Sequence, residues 1–249
     1  MVKNVSIISD IPIYKSTLKK TAQLIHSWIV EGKMRQHIVT ANSEILYKTK
    51  SNTKLKRILQ KASLVTADGM GVVWASKILG DALPERVTGY DLMIELLELM
   101  NQSEKSVYLL GAKPEVVSAA TFEIKRLYPG VVIKGYHDGY FKDDKEKEES
   151  IVNEIKELKP DLLLVGMGSP NQEYWINENI ANLPIKVAVG LGGSFDVLAG
   201  VLDRAPERWQ KMGMEWAYRL IKEPKRIGRA ASLPKFGLSI IKDKFFGNH

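Results

Sequence analysis

The clearest indication of the fold is in residues 162–193, LLLVGMGSPNQEYWINENIANLPIKVAVGLGG. Two short apolar runs, Leu162–Val165 and Val187–Val189, each end in glycines, and a segment long enough for a helix separates them. Apolar runs of this length are typical of strands that are buried on both faces of a parallel sheet. The stretch therefore predicts one strand–helix–strand unit of an α/β protein.

The same alternation continues on the amino-terminal side of this unit. The run Val107–Leu110 predicts a strand, and Pro114 suits the first turn of a helix that extends to about Tyr128. Val131–Ile133 predicts the next strand, and residues 145–158 carry apolar side chains at helical spacing. This order of elements predicts a Rossmann-like parallel sheet flanked by helices.

Two further predicted strands deliver polar residues to the same sheet. His37–Val39 leads into Thr40 and Asn42, and Leu64–Thr66 leads into Asp68. Proteins with parallel sheets bind their ligands at the carboxyl ends of the strands. We therefore expect Thr40, Asn42 and Asp68 to lie at a binding site.

Asp68 is the strongest candidate for catalysis. It precedes a glycine, where a ligand can approach the backbone closely, and transfer to a sugar hydroxyl needs a base to accept the proton. The alternative is that Asp68 only caps the helix predicted over residues 71–79. Thr40 and Asn42 would hold sugar hydroxyls or an acetamido group, although Asn42 or Ser43 would also serve as the cap of the following helix.

Glycine-containing turns follow three of the predicted strands, at Gly111, at Gly166 and Gly168, and at Gly190–Gly193. Such turns resemble those that hold phosphates at helix N-termini, and they favour a nucleotide-diphosphate site. Neither G-x-G-x-x-G nor the P-loop pattern is present, which argues against a dinucleotide cofactor. Gln172 and Glu173, at the start of the next helix, are expected to reach a base or a ribose.

The sequence carries no recognisable metal motif. It has no D-x-D pair and no H-E-x-x-H, and its four histidines are scattered. We therefore expect neither a metal nor a cofactor, so that protein cations must stabilise a departing diphosphate. Arg219, Arg226 and Arg229 are the candidates, since a guanidinium matches phosphate oxygens in a bidentate manner. The alternative is that these arginines only face anionic lipid.

The positive charge of the chain is concentrated at its C-terminal end. Residues 204–249 carry 11 Lys and Arg against 4 Asp and Glu, which accounts for the whole net charge of +7 over 249 residues. There is no cysteine, which excludes disulfides, and no apolar run of 18 residues, so no transmembrane helix is expected. The chain is therefore predicted to have an α/β catalytic domain over residues 1–200 and a helical basic appendage over residues 201–249.

Aromatic and aliphatic residues alternate with the cations of this appendage, which favours an anionic membrane surface as its partner. Each basic residue near an anionic leaflet adds roughly 1 kcal/mol of attraction. Nucleic acid is the rival anion, but the appendage is rich in Ile, Leu, Met and Phe and contains no recognisable nucleic-acid module. We expect no nucleic-acid partner.

An ordered set of short motifs resembles the WecG/TagA/CpsF family, glycosyltransferase family 26. The resemblance extends from about Val5 to Arg229. The motifs are Thr40–Glu44, Ala67–Gly71, Arg86–Asp91, Leu110–Pro114, Gly168–Glu173, Gly192–Asp196, Arg204–Pro206, Glu215–Leu220 and Glu223–Arg226.

The resemblance implies an inverting, metal-independent transfer of N-acetylmannosamine from UDP-N-acetylmannosamine to the C4 hydroxyl of undecaprenyl-diphosphate-N-acetylglucosamine, for the linkage unit of wall teichoic acid. Asp68 would be the base, with Thr40 beside it. The implied substrate-binding residues are Asn42, Arg86, Gly111, Gly168, Gln172, Gly193, Arg219, Arg226 and Arg229. The resemblance also implies a cytoplasmic protein, peripheral on the inner face of the cell membrane, and a homo-oligomer off the membrane.

Three alternatives to this function stay open. One is a nucleotide-sugar or nucleic-acid binding module without turnover, and another is a family member that uses a different UDP-sugar donor. The third, a dinucleotide-dependent oxidoreductase, is disfavoured by the missing glycine pattern. Release of UDP in the presence of a lipid-linked acceptor and EDTA would distinguish the enzyme from the first and third.

Overall fold

The strands and helices follow the predicted alternation in the computed structural model, which describes residues 4–222 and 232–246. The strands are β1 (Val5–Ile8), β2 (Ile11–Tyr14), β3 (Gln36–Ala41), β4 (Leu64–Ala67), β5 (Ser106–Gly111), β6 (Val132–His137), β7 (Leu162–Gly166) and β8 (Val187–Gly190). The helices of the first 200 residues are α1 (Leu18–Val30), α2 (Ser43–Lys48), α3 (Thr53–Lys61), α4 (Met70–Leu79), α5 (Gly89–Asn101), α6 (Pro114–Leu127), α7 (Lys145–Leu158), α8 (Asn171–Asn179) and α9 (Ser194–Leu198). They are followed by α10 (Glu207–Lys211), α11 (Glu215–Lys222) and α12 (Ser232–Phe246).

Strands β3 to β8 form one sheet in the spatial order β4-β3-β8-β7-β5-β6. Every neighbouring pair is parallel, so the carboxyl ends of all six strands lie at the same edge, called here the carboxyl edge. The α/β class and the Rossmann-like arrangement predicted from the sequence are confirmed.

The continuous apolar runs of the central strands are explained by burial on both faces. On β7, Leu162 and Leu164 pack in one core cluster with residues of α1, α5 and α6. Leu163 and Val165 pack in a second cluster with residues of α7 and α8. Because alternate residues of a strand point to opposite faces, both sets must be apolar, and the alternating pattern of a half-exposed strand is lost.

Asp161 joins the starts of three strands at the edge opposite the carboxyl edge. Its carboxylate accepts hydrogen bonds from the backbone N–H and the hydroxyl of Ser106, at 2.8 and 2.7 Å. The same carboxylate pairs with Lys186, which precedes β8. These contacts fix β5, β7 and β8 relative to one another away from the predicted site.

The N-terminal hairpin of β1 and β2 was not predicted from the sequence. Its two-residue turn places Ser9 and Asp10 at φ values of 51° and 62°, which is the left-handed conformation that two-residue hairpin turns use. The usual glycine signal is missing from this turn, and each strand has only four residues. The hairpin lies beside β4 and buries Ile8, Ile11 and Ile13.

The described residues of the C-terminal segment, defined here as residues 204–249, are largely helical, as predicted. Helix α12 packs against α2 and α4 through Phe236 and Ile240, which are 3% and 1% exposed, and Lys50 pairs with Asp243 at 2.9 Å. The division at residue 200 into a catalytic domain and an appendage stays a prediction. Within residues 4–222 and 232–246, no helix combines the length and the apolar character needed to cross a bilayer.

His37 on β3 gives the fold a defined pH dependence. Its side chain is buried, its Nε2 has no hydrogen-bond partner among the described residues, and burial lowers its pKa from 6.5 to about 4. Since the unfolded chain binds this proton more tightly, the contribution to stability is fully present above pH 6.5 and is lost as the pH falls toward 4. From this group alone, the free energy of unfolding in urea should fall by about 2 kcal/mol between pH 7.5 and pH 5.0.

The variant His37→Leu isolates that contribution, because other titrating groups, including His26 with its own lowered pKa, are the same in both proteins. Its free energy of unfolding should fall less than that of the wild type over the same pH interval. Equal decreases in the two proteins would show that His37 is not the source.

Candidate active site

A cleft of about 290 Å³ opens at the carboxyl edge of the sheet. Its lining comes from the loops after β3, β4, β7 and β8, from Arg86 in the loop before α5, and from the C-terminal segment. The described residues that line it are Thr40, Asn42, Ser43, Glu44, Ile45, Asp68, Gly69, Met70, Gly71, Arg86, Gly168, Ser169, Gln172, Leu191, Gly192, Gly193, Gly213, Glu215, Trp216, Leu220, Ser232 and Leu233.

Thr40 lies near the end of β3 with its side chain buried at 4% exposure. Its hydroxyl donates a hydrogen bond of 2.7 Å to the carbonyl of Gly190, at the end of the neighbouring strand β8. Because the single hydroxyl proton is used in this bond, the oxygen faces a ligand as an acceptor. Thr40 is therefore placed to accept a hydrogen bond from a sugar hydroxyl or an amide N–H.

Asp68 follows β4 directly and lines the same cleft as Thr40. Its backbone N–H donates to the carbonyl of Ala41 at 2.8 Å, which extends the pairing of β3 and β4 by one residue. The N-cap position of α4 belongs to Gly69, whose φ of 112° turns the chain out of the strand. Asp68 is therefore not the N-cap residue of α4.

Asn42 lines the cleft and also caps α2. Its side-chain oxygen accepts a hydrogen bond of 3.0 Å from the backbone N–H of Ile45, so the capping alternative is confirmed for Asn42, whereas Ser43 is already inside the helix. The two N–H donors of the same amide make no hydrogen bond within the described residues, and they are the groups that Asn42 offers to a ligand.

Gln172 connects two of the loops that form the cleft. Its side-chain oxygen accepts a hydrogen bond of 2.9 Å from the N–H of Gly192, and its nitrogen donates to Glu173 at 2.8 Å. Gly190 leaves the space for this amide, since an added Cβ would approach the Gln172 nitrogen to 2.7 Å. Gln172 thus fixes the loop after β8 against α8.

Glu173 is fully buried and is not among the described residues that line the cleft. Burial raises the pKa of its carboxyl group, and one carboxyl oxygen has no hydrogen-bond partner in the described part of the chain. The expectation that Glu173 reaches a base or a ribose directly is therefore wrong, and its carboxylate accepts a hydrogen bond from the amide of Gln172.

The glycine turns differ in what they do. Gly168 and Gly193 line the cleft, whereas Gly111 does not appear among the described lining residues. Gly111 has a φ of 130°, and a Cβ there would lie 2.5 Å from the backbone of Gly166 on β7. Close packing of β5 and β7 thus already requires a glycine at this position, and substrate binding by Gly111 stays a prediction.

Arg86 enters the cleft from the loop before α5 and contacts the C-terminal segment. Its guanidinium pairs with Glu215 at 2.7 Å and donates to Gln210 at 3.3 Å. The sequence reasoning did not propose Glu215 or Trp216 as site residues, although both belong to one of the motifs of the family resemblance. They lie in the cleft because α11 folds back across the carboxyl edge, a contact that no local pattern encodes.

Of the three arginines predicted to bind the diphosphate, only the backbone of Arg219 lies within the described residues. Arg226 and Arg229 lie outside the described residues, and so does the side chain of Arg219. Among the residues that are described, no three His, Asp or Glu side chains are grouped to hold a metal ion. The roles of the three arginines, and turnover without a metal, stay predictions.

The chain belongs to the WecG/TagA/CpsF family of glycosyl transferases, whose model matches residues 5–249. It is 37% identical over 235 residues to the N-acetylglucosaminyldiphosphoundecaprenol N-acetyl-beta-D-mannosaminyltransferase of Bacillus spizizenii (strain W23), which covers 94% of this chain and 90% of that protein. The protein of the same name from Staphylococcus aureus (strain MW2) is 41% identical over 207 residues, covering 83% and 80%. That of Bacillus subtilis (strain 168) is 34% identical over 237 residues, covering 95% and 91%. The family predicted from the motifs is confirmed.

The hydrogen bond between Thr40 and Gly190 should contribute measurably to stability. Thr40→Val keeps the shape of the side chain but leaves the Gly190 carbonyl without its donor, and we expect a loss of about 1–3 kcal/mol in the free energy of unfolding. Thr40→Ser keeps the hydroxyl and is the matched control. Urea unfolding at neutral pH is the measurement, and equal stabilities of the valine and serine variants would contradict the assignment.

Proposed function

We propose that the chain transfers N-acetylmannosamine from UDP-N-acetylmannosamine to the C4 hydroxyl of undecaprenyl-diphosphate-linked N-acetylglucosamine, with inversion at the sugar. The names of the relatives support the transferred sugar and the acceptor, and family membership supports the reaction class. The observation that carries the proposal is that Asp68 and Thr40 line one cleft at the carboxyl edge.

We assign the role of base to Asp68, the carboxylate that follows β4 and lines the same cleft as Thr40. In a direct displacement, the acceptor oxygen forms a bond to the anomeric carbon while the bond from that carbon to the diphosphate oxygen breaks. The acceptor proton passes to the Asp68 carboxylate, and UDP leaves with the electrons of the broken bond. The position of Asp68 after a fixed strand end, with its N–H bonded to Ala41, limits the movement of this base.

The remaining polar groups of the cleft are suited to hold the sugars and the leaving group. The Thr40 oxygen and the Asn42 amide offer one acceptor and two donors without adding charge. Arg86 offers a guanidinium for the diphosphate, and Gln172 holds the Gly192 loop against which the nucleotide would lie. The three arginines at 219, 226 and 229 are proposed to complete the diphosphate site.

The acceptor lipid places the reaction at a membrane surface, and the C-terminal segment has groups that suit such a surface. Trp216, Ile221, Leu238 and Phe245 are between 50% and 70% exposed, and basic residues lie between them in the sequence. Apolar side chains and cations together bind an anionic leaflet reversibly. We propose peripheral attachment to the inner face of the cell membrane, with a homo-oligomer formed off the membrane.

The role of Asp68 is tested by Asp68→Asn, which keeps the size of the side chain but removes the base. Transfer should fall by at least ~10², the contribution typical of a positioned general base. The measurement is UDP release from UDP-N-acetylmannosamine with a lipid-linked N-acetylglucosamine diphosphate as acceptor. Asp10→Asn is the matched control, because Asp10 lies in the exposed hairpin turn, where Asn tolerates the left-handed conformation. Near-full turnover of the Asp68 variant would exclude Asp68 as the base.

The same assay tests the donor and the metal requirement. Turnover should continue in EDTA, and UDP-N-acetylmannosamine should be preferred over UDP-glucose and UDP-N-acetylglucosamine. A strict need for a divalent ion would contradict the proposal that protein cations stabilise the leaving group. Turnover with a different sugar nucleotide would support the proposed class of enzyme but would show that the proposed donor is wrong.

A further inference from the structure

In the described part of the chain, Arg86 is the basic side chain that lines the cleft. Its guanidinium is already paired with the carboxylate of Glu215. The ion pair between Arg86 and Glu215 has an N–O distance of 2.7 Å, with the two side chains only 18% and 13% exposed. Ion pairs at the surface contribute little because water and salt screen them. This pair is largely shielded, so it neutralises the guanidinium that an incoming diphosphate would need.

A carboxylate resembles a phosphate in the way it meets a guanidinium. Both present oxygens that carry negative charge to the planar fork of N–H donors, and both accept charge-assisted hydrogen bonds. Glu215 therefore occupies the kind of position on Arg86 that a phosphate oxygen of a nucleoside diphosphate would take. The two anions cannot share this position, since like charges in contact repel strongly at a shielded site.

Arg86 has a second contact that does not compete with phosphate charge. Its other terminal nitrogen donates to the side-chain oxygen of Gln210 at 3.3 Å, and the Gln210 nitrogen donates to the carbonyl of Ala205 at 2.6 Å. Gln210 is neutral and is held by its own backbone partner. If Glu215 moves away, Gln210 still orients the guanidinium toward the cleft.

We propose that Glu215 is a positioning residue that stands in for a phosphate on Arg86 and is displaced from it when a nucleoside diphosphate binds. This inference rests on the proposed function, since it assigns the diphosphate of the donor to Arg86. Glu215 is the first residue of α11, so the exchange of partners couples occupation of the cleft to the position of the helix that covers it. Glu215 keeps Arg86 oriented in the empty site and lowers the affinity for the diphosphate.

The test is a double-mutant cycle on UDP binding, measured by calorimetry on the full chain at low salt. Glu215→Gln keeps a hydrogen-bond acceptor for Arg86 but removes the competing charge. It should tighten UDP binding by about tenfold, the difference between a charge-assisted and a neutral hydrogen bond. In the Arg86→Gln background the same change should leave UDP affinity unaltered, because there is no guanidinium left to release.

The outcomes of the cycle distinguish release of Arg86 from a general reduction of negative charge in the cleft. Unchanged or weaker UDP binding by Glu215→Gln would overturn the inference. Equal tightening in both backgrounds would also overturn it, since the effect would then be a general reduction of negative charge in the cleft. If the wild-type protein binds no UDP at all, the proposed donor class itself fails, and the inference fails with it.

A matched variant separates release of Arg86 from loosening of the C-terminal segment. Arg204 pairs with Asp91 and stacks over Tyr90 at 4.9 Å, and neither member of that ion pair is among the described residues that line the cleft. Asp91→Asn should lower the melting temperature without changing UDP affinity. An increase in UDP affinity equal to that of Glu215→Gln would show that loosening, and not exchange of partners on Arg86, controls binding.

Discussion

The parallel pairing of β3 with both β4 and β8 is the constraint on which the site depends. Val39 pairs with Gly190, and Thr40 pairs with Thr66, which brings the Thr40 hydroxyl to the Gly190 carbonyl and places Asp68 one residue beyond the paired strands. A slip of one residue would turn Thr40 to the opposite face of the sheet. The backbone hydrogen bonds between these strands thus set the positions of Thr40 and Asp68 in the candidate site.

The loops at the carboxyl edge are then fixed by a short series of polar contacts. Glu173 is buried and accepts from Gln172, and Gln172 in turn accepts from the Gly192 N–H. Gly190 leaves space for the Gln172 amide, whereas Gly168 and Gly192 have φ values of 75° and 57°, which other residues rarely adopt. A rigid support of this kind keeps a sugar-binding cleft close to its working geometry before substrate arrives.

The C-terminal segment contributes to the site in a way that its composition does not suggest. It carries the whole net positive charge of the chain, yet among its described residues the charged side chain that lines the cleft is the acidic Glu215, paired with Arg86. Two further ion pairs, Arg204–Asp91 and Lys50–Asp243, hold the segment at other points. The net charge of the segment therefore predicts an anionic binding partner. Its individual ion pairs, in contrast, determine how the segment packs against the rest of the chain.

The order of apolar and polar residues along the chain was enough to predict the parallel sheet and much of the site. Apolar runs such as Leu162–Val165, bounded by glycines, predict buried parallel strands because backbone geometry and burial act locally, and the carboxyl-edge rule then brings Thr40 and Asp68 together. The short motifs determined the family. The N-terminal hairpin was not predicted, because its turn at Ser9 and Asp10 lacks the glycine that usually indicates a two-residue turn.

The partner of each polar side chain in the site, in contrast, depends on how distant parts of the chain pack together. Glu173 was expected at a ligand and is buried against Gln172, and Arg86 was expected at a substrate and is paired with Glu215. Such pairings join residues that are distant in the sequence, and their energies depend on burial and distance, which no local pattern specifies. Local propensity and strand pairing therefore fixed where the cleft is, and packing of the C-terminal helices across the sheet edge decided which charges face each other inside it.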